Sequence, residues 1–138
     1  MKPLAVAIAL LWAPMALPAH AEPIHQLRIY EIFEGNKQAF HERFRDHGAR
    51  IMARHGFRIL SMWESRFEGR TEFVYVLEWP DEARMKAAWA AFMAVPEWAA
   101  IKRTTAAKHG TLVGRIQDRT LWLTDYAPFT SPPARSPS

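Results

Sequence analysis

The stretch GNKQAFHERFRDHGARIMARHG, residues 35–56, reads as one long helix, and the rest of the chain is arranged around it. Phe40, Phe44, His47, Ile51 and His55 follow one another at steps of four, three, four and four, which keeps them within a narrow stripe of a 3.6-residue helix. That stripe must face a core. Lys37, Arg43, Asp46, Arg50 and Arg54 fall mainly on the other side, with Asp46 one helical turn before Arg50, the supportive order for an acid and a base. Asn36 is the expected N-cap and Gly56 the C-terminal stop. The two histidines are the polar groups on an otherwise apolar stripe, so chemistry in this protein is expected to look toward this helix.

Upstream, residues 24–33 alternate, with Leu27, Ile29 and Phe33 on one side and Gln26, Arg28, Tyr30 and Ile32 on the other, the pattern of a strand. Downstream, residues 58–67 and 71–79 form two further strands joined through Glu68-Gly69-Arg70, a hairpin connection with glycine for the positive-φ position. Pro80-Asp81-Glu82 opens a second helix with the stripe Met85, Ala88, Trp89 and Phe92. Pro96 interrupts it and starts a shorter helix to about Thr105, and Lys108-His109-Gly110 ends that element. Residues 111–117 are expected as a loop or short extended piece and residues 118–126 as the last strand.

The order β-α-β-β-α-β is that of an α+β, ferredoxin-like fold, a four-stranded antiparallel sheet with helices on one face. Helices cover only one face, yet the strands carry large apolar groups on both, Ile29 and Phe33 against Tyr30 and Ile32, Trp63 and Phe67 against Leu60 and Met62. An apolar open face marks an association surface, and a homodimer closing sheet on sheet is the expected arrangement.

Residues 1–21 combine a basic start at Lys2, an apolar run from Leu4 to Leu17 and Ala19-His20-Ala21, the small-x-small pattern of a cleaved signal peptide. The run falls short of the about 20 residues that span a bilayer, so no membrane span is expected after cleavage, and a periplasmic or secreted location follows. The domain is expected over residues 22–127 and a disordered, Pro/Ser-rich tail over 128–138. Cysteine is absent, which removes disulfides and thiolate chemistry. The net charge of +4 is interspersed rather than blocked, and without a basic run or recognition motif it does not indicate nucleic-acid binding.

Leu27-Arg28-Ile29-Tyr30-Glu31-Ile32, the helix end Arg54-His55-Gly56, the strand Ser61-Met62-Trp63-Glu64 and Pro96-Glu97-Trp98 after an alanine-rich helix together resemble the NIPSNAP family over residues 25–126. The resemblance implies the dimeric α/β-barrel superfamily, in some members of which a cavity between helices and sheet binds substrate or haem.

Within such a cavity His47 is the first candidate, as hydrogen-bond donor, acid/base group or axial haem ligand. Its bland alternative is a core histidine satisfied by a backbone carbonyl or by Tyr75. His47 and His55 lie about 12 Å apart along a helix and cannot chelate one metal, and no HExxH or carboxylate cluster at ligand spacing suggests a metal site. Arg28, Tyr30, Trp63, Tyr75 and Trp98 are the candidate ligand-binding residues, an aromatic wall with a cation and hydroxyls. Packing is the competing reading for the aromatics. Arg28 on a covered face requires a carboxylate partner, such as Glu64, Glu72 or Glu78, or an anionic ligand. The sequence favours a module binding a small apolar or aromatic ligand, or a partner, without cofactor. A cofactor-independent monooxygenase or a haem-handling enzyme using His47 is the alternative, and a purely structural subunit without a cavity a third.

Overall fold

Backbone pairing, more than local propensity, fixes where the strands of this chain begin and end. A computed structural model describes residues 22–128. The elements are β1 (Ile24–Ile32), α1 (Lys37–Arg43), a π-helical turn (Phe44–Gly48), α2 (Ala49–Arg54), β2 (Arg58–Phe67), β3 (Arg70–Trp79), α3 (Glu82–Met93), α4 (Pro96–His109) and β4 (Val113–Leu121). The strands form one antiparallel sheet in the order β2-β3-β1-β4, the ferredoxin-like arrangement expected. The readings of residues 1–21 as a signal peptide and of the tail beyond Pro128 as disordered lie outside the described residues.

The register places Ile24, Gln26, Arg28, Tyr30 and Ile32 of β1 beside Trp79, Leu77, Tyr75, Phe73 and Thr71 of β3, and this face is the one the helices cover. Phe40 and Phe44 pack on Tyr30, Phe73 and Tyr75 at one end, while Trp79, Trp89 and Phe92 pack around Phe57 at the other. Gly56, at φ 80°, closes the long helix: the Phe57 N–H donates to Met52 O and the Gly56 N–H to Ala53 O. Only a residue comfortable at positive φ turns the chain this sharply, and the turn sends Phe57 inward. The opposite face of the sheet carries Leu27, Ile29, Val74, Val76, Trp63 and Phe67, with Trp63 52% exposed.

Five sequence expectations are corrected. The long helix is continuous over residues 37–54 but widens through Phe44–Gly48, where the Ala49 N–H reaches back to Phe44 O. Its buried side carries Phe40, Phe44, Gly48, Ile51 and Met52, and His47 and His55 are only half-buried beside it. Asn36 makes no side-chain cap; its Nδ2 instead donates to the carbonyls of His109 and Thr111, pinning the helix start to the end of α4. The helix from Pro96 runs on to His109, four residues past the expected Thr105. The last strand is Val113–Leu121 rather than 118–126, and its pairing with β1 sets Asp118 opposite Arg28; Trp122 and Tyr126, which look strand-like, lie exposed beyond it.

Candidate functional site

Gln26, Arg28 and Tyr30 project from alternate positions of β1 toward the helices, and their polar groups are joined in one chain of hydrogen bonds. The fully buried Gln26 Oε1 accepts from the indoles of Trp79 (2.9 Å) and Trp89 (2.8 Å), and its Nε2 donates to Asp118 Oδ1 (2.9 Å). Asp118 Oδ2 accepts from Arg28 Nη1 at 2.7 Å. Arg28 Nη2 donates to the Tyr30 hydroxyl (3.2 Å), which is 2.7 Å from the Tyr75 hydroxyl. The Arg28 guanidinium also lies 4.4 Å from the centroid of the Trp89 ring, a cation–π contact. Burial alone lowers the Arg28 pKa, but Tyr30, Tyr75 and Asp118 outweigh it and hold the guanidinium above its usual range. Burial, then Tyr30, pushes the Tyr75 phenol well above its ordinary range, so it stays a neutral hydrogen-bonding group.

This chain forms the floor of a cavity of about 470 Å³ between β1, β4 and the helices, within the roughly 300–1,000 Å³ of small-molecule pockets. Six aromatic side chains line it, Tyr30, Phe40, Phe44, Trp89, Phe92 and Trp98, with Met52 and Met93. Among the described residues the lining holds three cations, Arg28, Arg43 and Lys102, and one carboxylate, Asp118. Trp98 is locked in place from below, because its ring edge lies 3.4 Å from where a Cβ on Gly48 would stand, and Phe92 packs on it at 5.2 Å.

The structure therefore brings Arg28, Tyr30 and Trp98 together at the cavity, with Tyr75 directly behind Tyr30. It does not bring in Trp63, which stands on the opposite face of the sheet. Nor does His47 line the cavity; it lies toward the start of α4, its Nδ1 buried with no hydrogen-bond partner and its ring not bonded to Tyr75. The carboxylate partner of Arg28 is none of those expected. Glu64 is taken by Lys37 and His41, Glu72 by Ser65, and Glu78 by His25 and Arg58, all at a distance from Arg28. Gln26, Arg43, Trp89, Lys102 and Asp118 were not anticipated. Gln26 was foreshadowed by sharing its strand face with Arg28 and Tyr30, and Trp89 by its place on the apolar stripe of the second helix. Among the described residues no group of three or more histidines or acids is close enough to hold a metal ion, and no helix is long and apolar enough to cross a membrane.

The sequence model of the NIPSNAP family matches residues 25–128, the whole of the sheet, the helices and the cavity between them. The chain belongs to the NIPSNAP family. Solved NIPSNAP structures share its fold: an uncharacterised NIPSNAP-like domain protein from Burkholderia xenovorans superposes with a TM-score of 0.67 at 21% identity, covering 83% of this chain and 95% of that one. A NIPSNAP family protein from Agrobacterium tumefaciens gives 0.66 at 18% identity, covering 78% and 98%. Beyond NIPSNAP proteins, SnoaB, a cofactor-independent oxygenase from Streptomyces nogalater, has a similar fold, with a TM-score of 0.51 at 16% identity over 79% of this chain and 100% of that one. No curated protein matches this NIPSNAP chain.

Proposed function

We propose that this NIPSNAP protein is an exported homodimer that binds a small apolar or aromatic ligand in the cavity beneath the long helix. The observation that carries the reading is the makeup of that cavity: six aromatic rings line it, while its carboxylate is committed to Arg28 and Gln26 and its phenol, Tyr30, to Arg28 and Tyr75. Such walls recognise a shape and an apolar body. Export is supported by Lys2, the apolar run from Leu4 to Leu17 and Ala19-His20-Ala21. Dimerisation is supported by the apolar open face of the sheet around Trp63, Val74 and Val76.

The oxygenase alternative draws on the Arg28–Tyr30–Tyr75 chain, which holds the Tyr30 hydroxyl at the cavity floor. Haem handling through His47 finds no support, because the histidine does not face the cavity and the lining offers no other.

Native mass spectrometry of the protein purified from a periplasm tests the proposal. The expected result is a chain beginning near Glu22, in a dimer that releases a small molecule on denaturation. A stable monomer would overturn the sheet-on-sheet arrangement. The open face has its own test: Trp63→Asp is expected to give a folded monomer by light scattering, with unchanged far-ultraviolet circular dichroism, because the residue is already half exposed within one chain.

A further inference from the structure

Two of the three cavity cations have no carboxylate. Arg28 is neutralised by Asp118. Arg43, from α1, makes one hydrogen bond, Nη1 to the Thr105 hydroxyl at 3.1 Å, and its guanidinium stands 5.7 Å from the Trp98 ring centroid. Lys102, from α4, brings its ammonium to 5.8 Å from the same ring. Among the described residues neither forms a salt bridge, although Arg43 is half-buried and burial pulls its pKa down. An arginine offers five N–H donors, and one is used here. Holding an unpaired, partly desolvated guanidinium costs free energy that neighbouring aromatic faces only partly offset. Lys37 on α1 is paired with Glu34 and Glu64, and Arg50 on α2 with Glu97, while Arg103 and Lys108 on α4 are unpaired but exposed to solvent. Among the described residues of these helices, the unpaired cations that are half-buried are the two that line the cavity.

We infer that Arg43 and Lys102 form an anion subsite at the rim of the aromatic cavity, and that the ligand is an apolar, aromatic-bodied carboxylate. The planar fork of Arg43 matches a carboxylate bidentately, Lys102 adds a point charge, and the rings of Trp98, Trp89 and Phe92 take the body. A neutral ligand would leave both cations facing an apolar guest. The inference rests on the ligand-binding reading above and narrows it to a chemical class.

Calorimetric titration of the purified protein with aromatic carboxylates, from benzoate to 2-naphthoate, each beside its own carboxamide, tests it. The acid and amide of each pair share a body and differ in charge. At least one carboxylate is expected to bind about tenfold or more tightly than its amide, the size of a charge-assisted pair of hydrogen bonds. That ratio should fall toward one in Arg43→Gln and several-fold in Lys102→Gln. Because the ratio is internal to each variant, a general loss of stability does not mimic the effect. Amides binding as tightly as acids, or a ratio unmoved in both variants, would overturn the anion subsite and leave the apolar-cavity reading standing. Binding of no member of the panel would overturn both.

Discussion

Gln26→Leu is expected to lose about 3–5 kcal/mol of stability, because it strands several buried polar groups at once. The indoles of Trp79 and Trp89 both donate to the Gln26 side-chain oxygen, and Asp118 accepts from its nitrogen. A buried donor left unsatisfied costs about 1–3 kcal/mol, and leucine offers neither indole an acceptor. Against a total of roughly 5–15 kcal/mol for a domain, the loss should appear as a large fall in the urea midpoint. Gln26→Glu sharpens the test. Glutamate can still accept from the indoles, but its second oxygen meets Asp118 Oδ1 where the amide donated at 2.9 Å. Two such carboxylates do not both ionise readily, so the folded-state pKa of the pair is raised above the unfolded value. The variant should therefore be least stable at neutral pH and approach the parent as pH falls below the ordinary carboxylate range of about 4. A pH-independent deficit would show that the strand packing, rather than the hydrogen-bond chain, governs this position.

Trp98→Ala is the second large effect, at about 3–5 kcal/mol for a buried tryptophan. The ring fills the space that Gly48 leaves by lacking a side chain, packs on Phe92, and lies under both Arg43 and Lys102. Its removal opens the wall of the cavity and takes away the aromatic surface beside the two cations. Denaturation midpoints measure the first loss and ligand titration the second. Trp98→Phe should recover most of the stability while retaining a weaker cation–π contact. Equal stability of the alanine variant and the parent would mean that the contact between the long helix and α4 does not depend on this ring.

The architecture was legible because it rests on periodicity. Alternation along residues 24–33 and 71–79, the hairpin glycine, and the proline starts of the later helices each act locally, and the structure follows them. The sheet face left open was legible too, from apolar residues on both sides of the strands. What failed depends on contacts between distant segments. The last strand was expected five residues late because Trp122 and Tyr126 have strand propensity, whereas pairing with β1, about ninety residues away in sequence, selects Val113–Leu121 and sets Asp118 opposite Arg28. Arg43 looked like a solvated charge on the polar side of a regular helix, and His47 like its inward partner. No local signal announced the π turn that separates them from that ideal wheel.

That turn has a consequence for how the chain tolerates changes of length. In a regular helix, adding or removing one residue rotates everything beyond it by about 100°, which would swing Ile51 and Met52 out of the core. The widened turn at Phe44–Gly48 already absorbs one surplus residue between two correctly aimed halves, the first giving Phe40 and Arg43 to the cavity wall and the second giving Ile51 to the core and Met52 to both. It acts as a slip joint: there the helix can revert to ordinary winding by losing a residue, with both ends keeping their bearings. Relatives differing by one residue in this helix would carry the difference at this turn, with the side chains on either side of it still aimed inward.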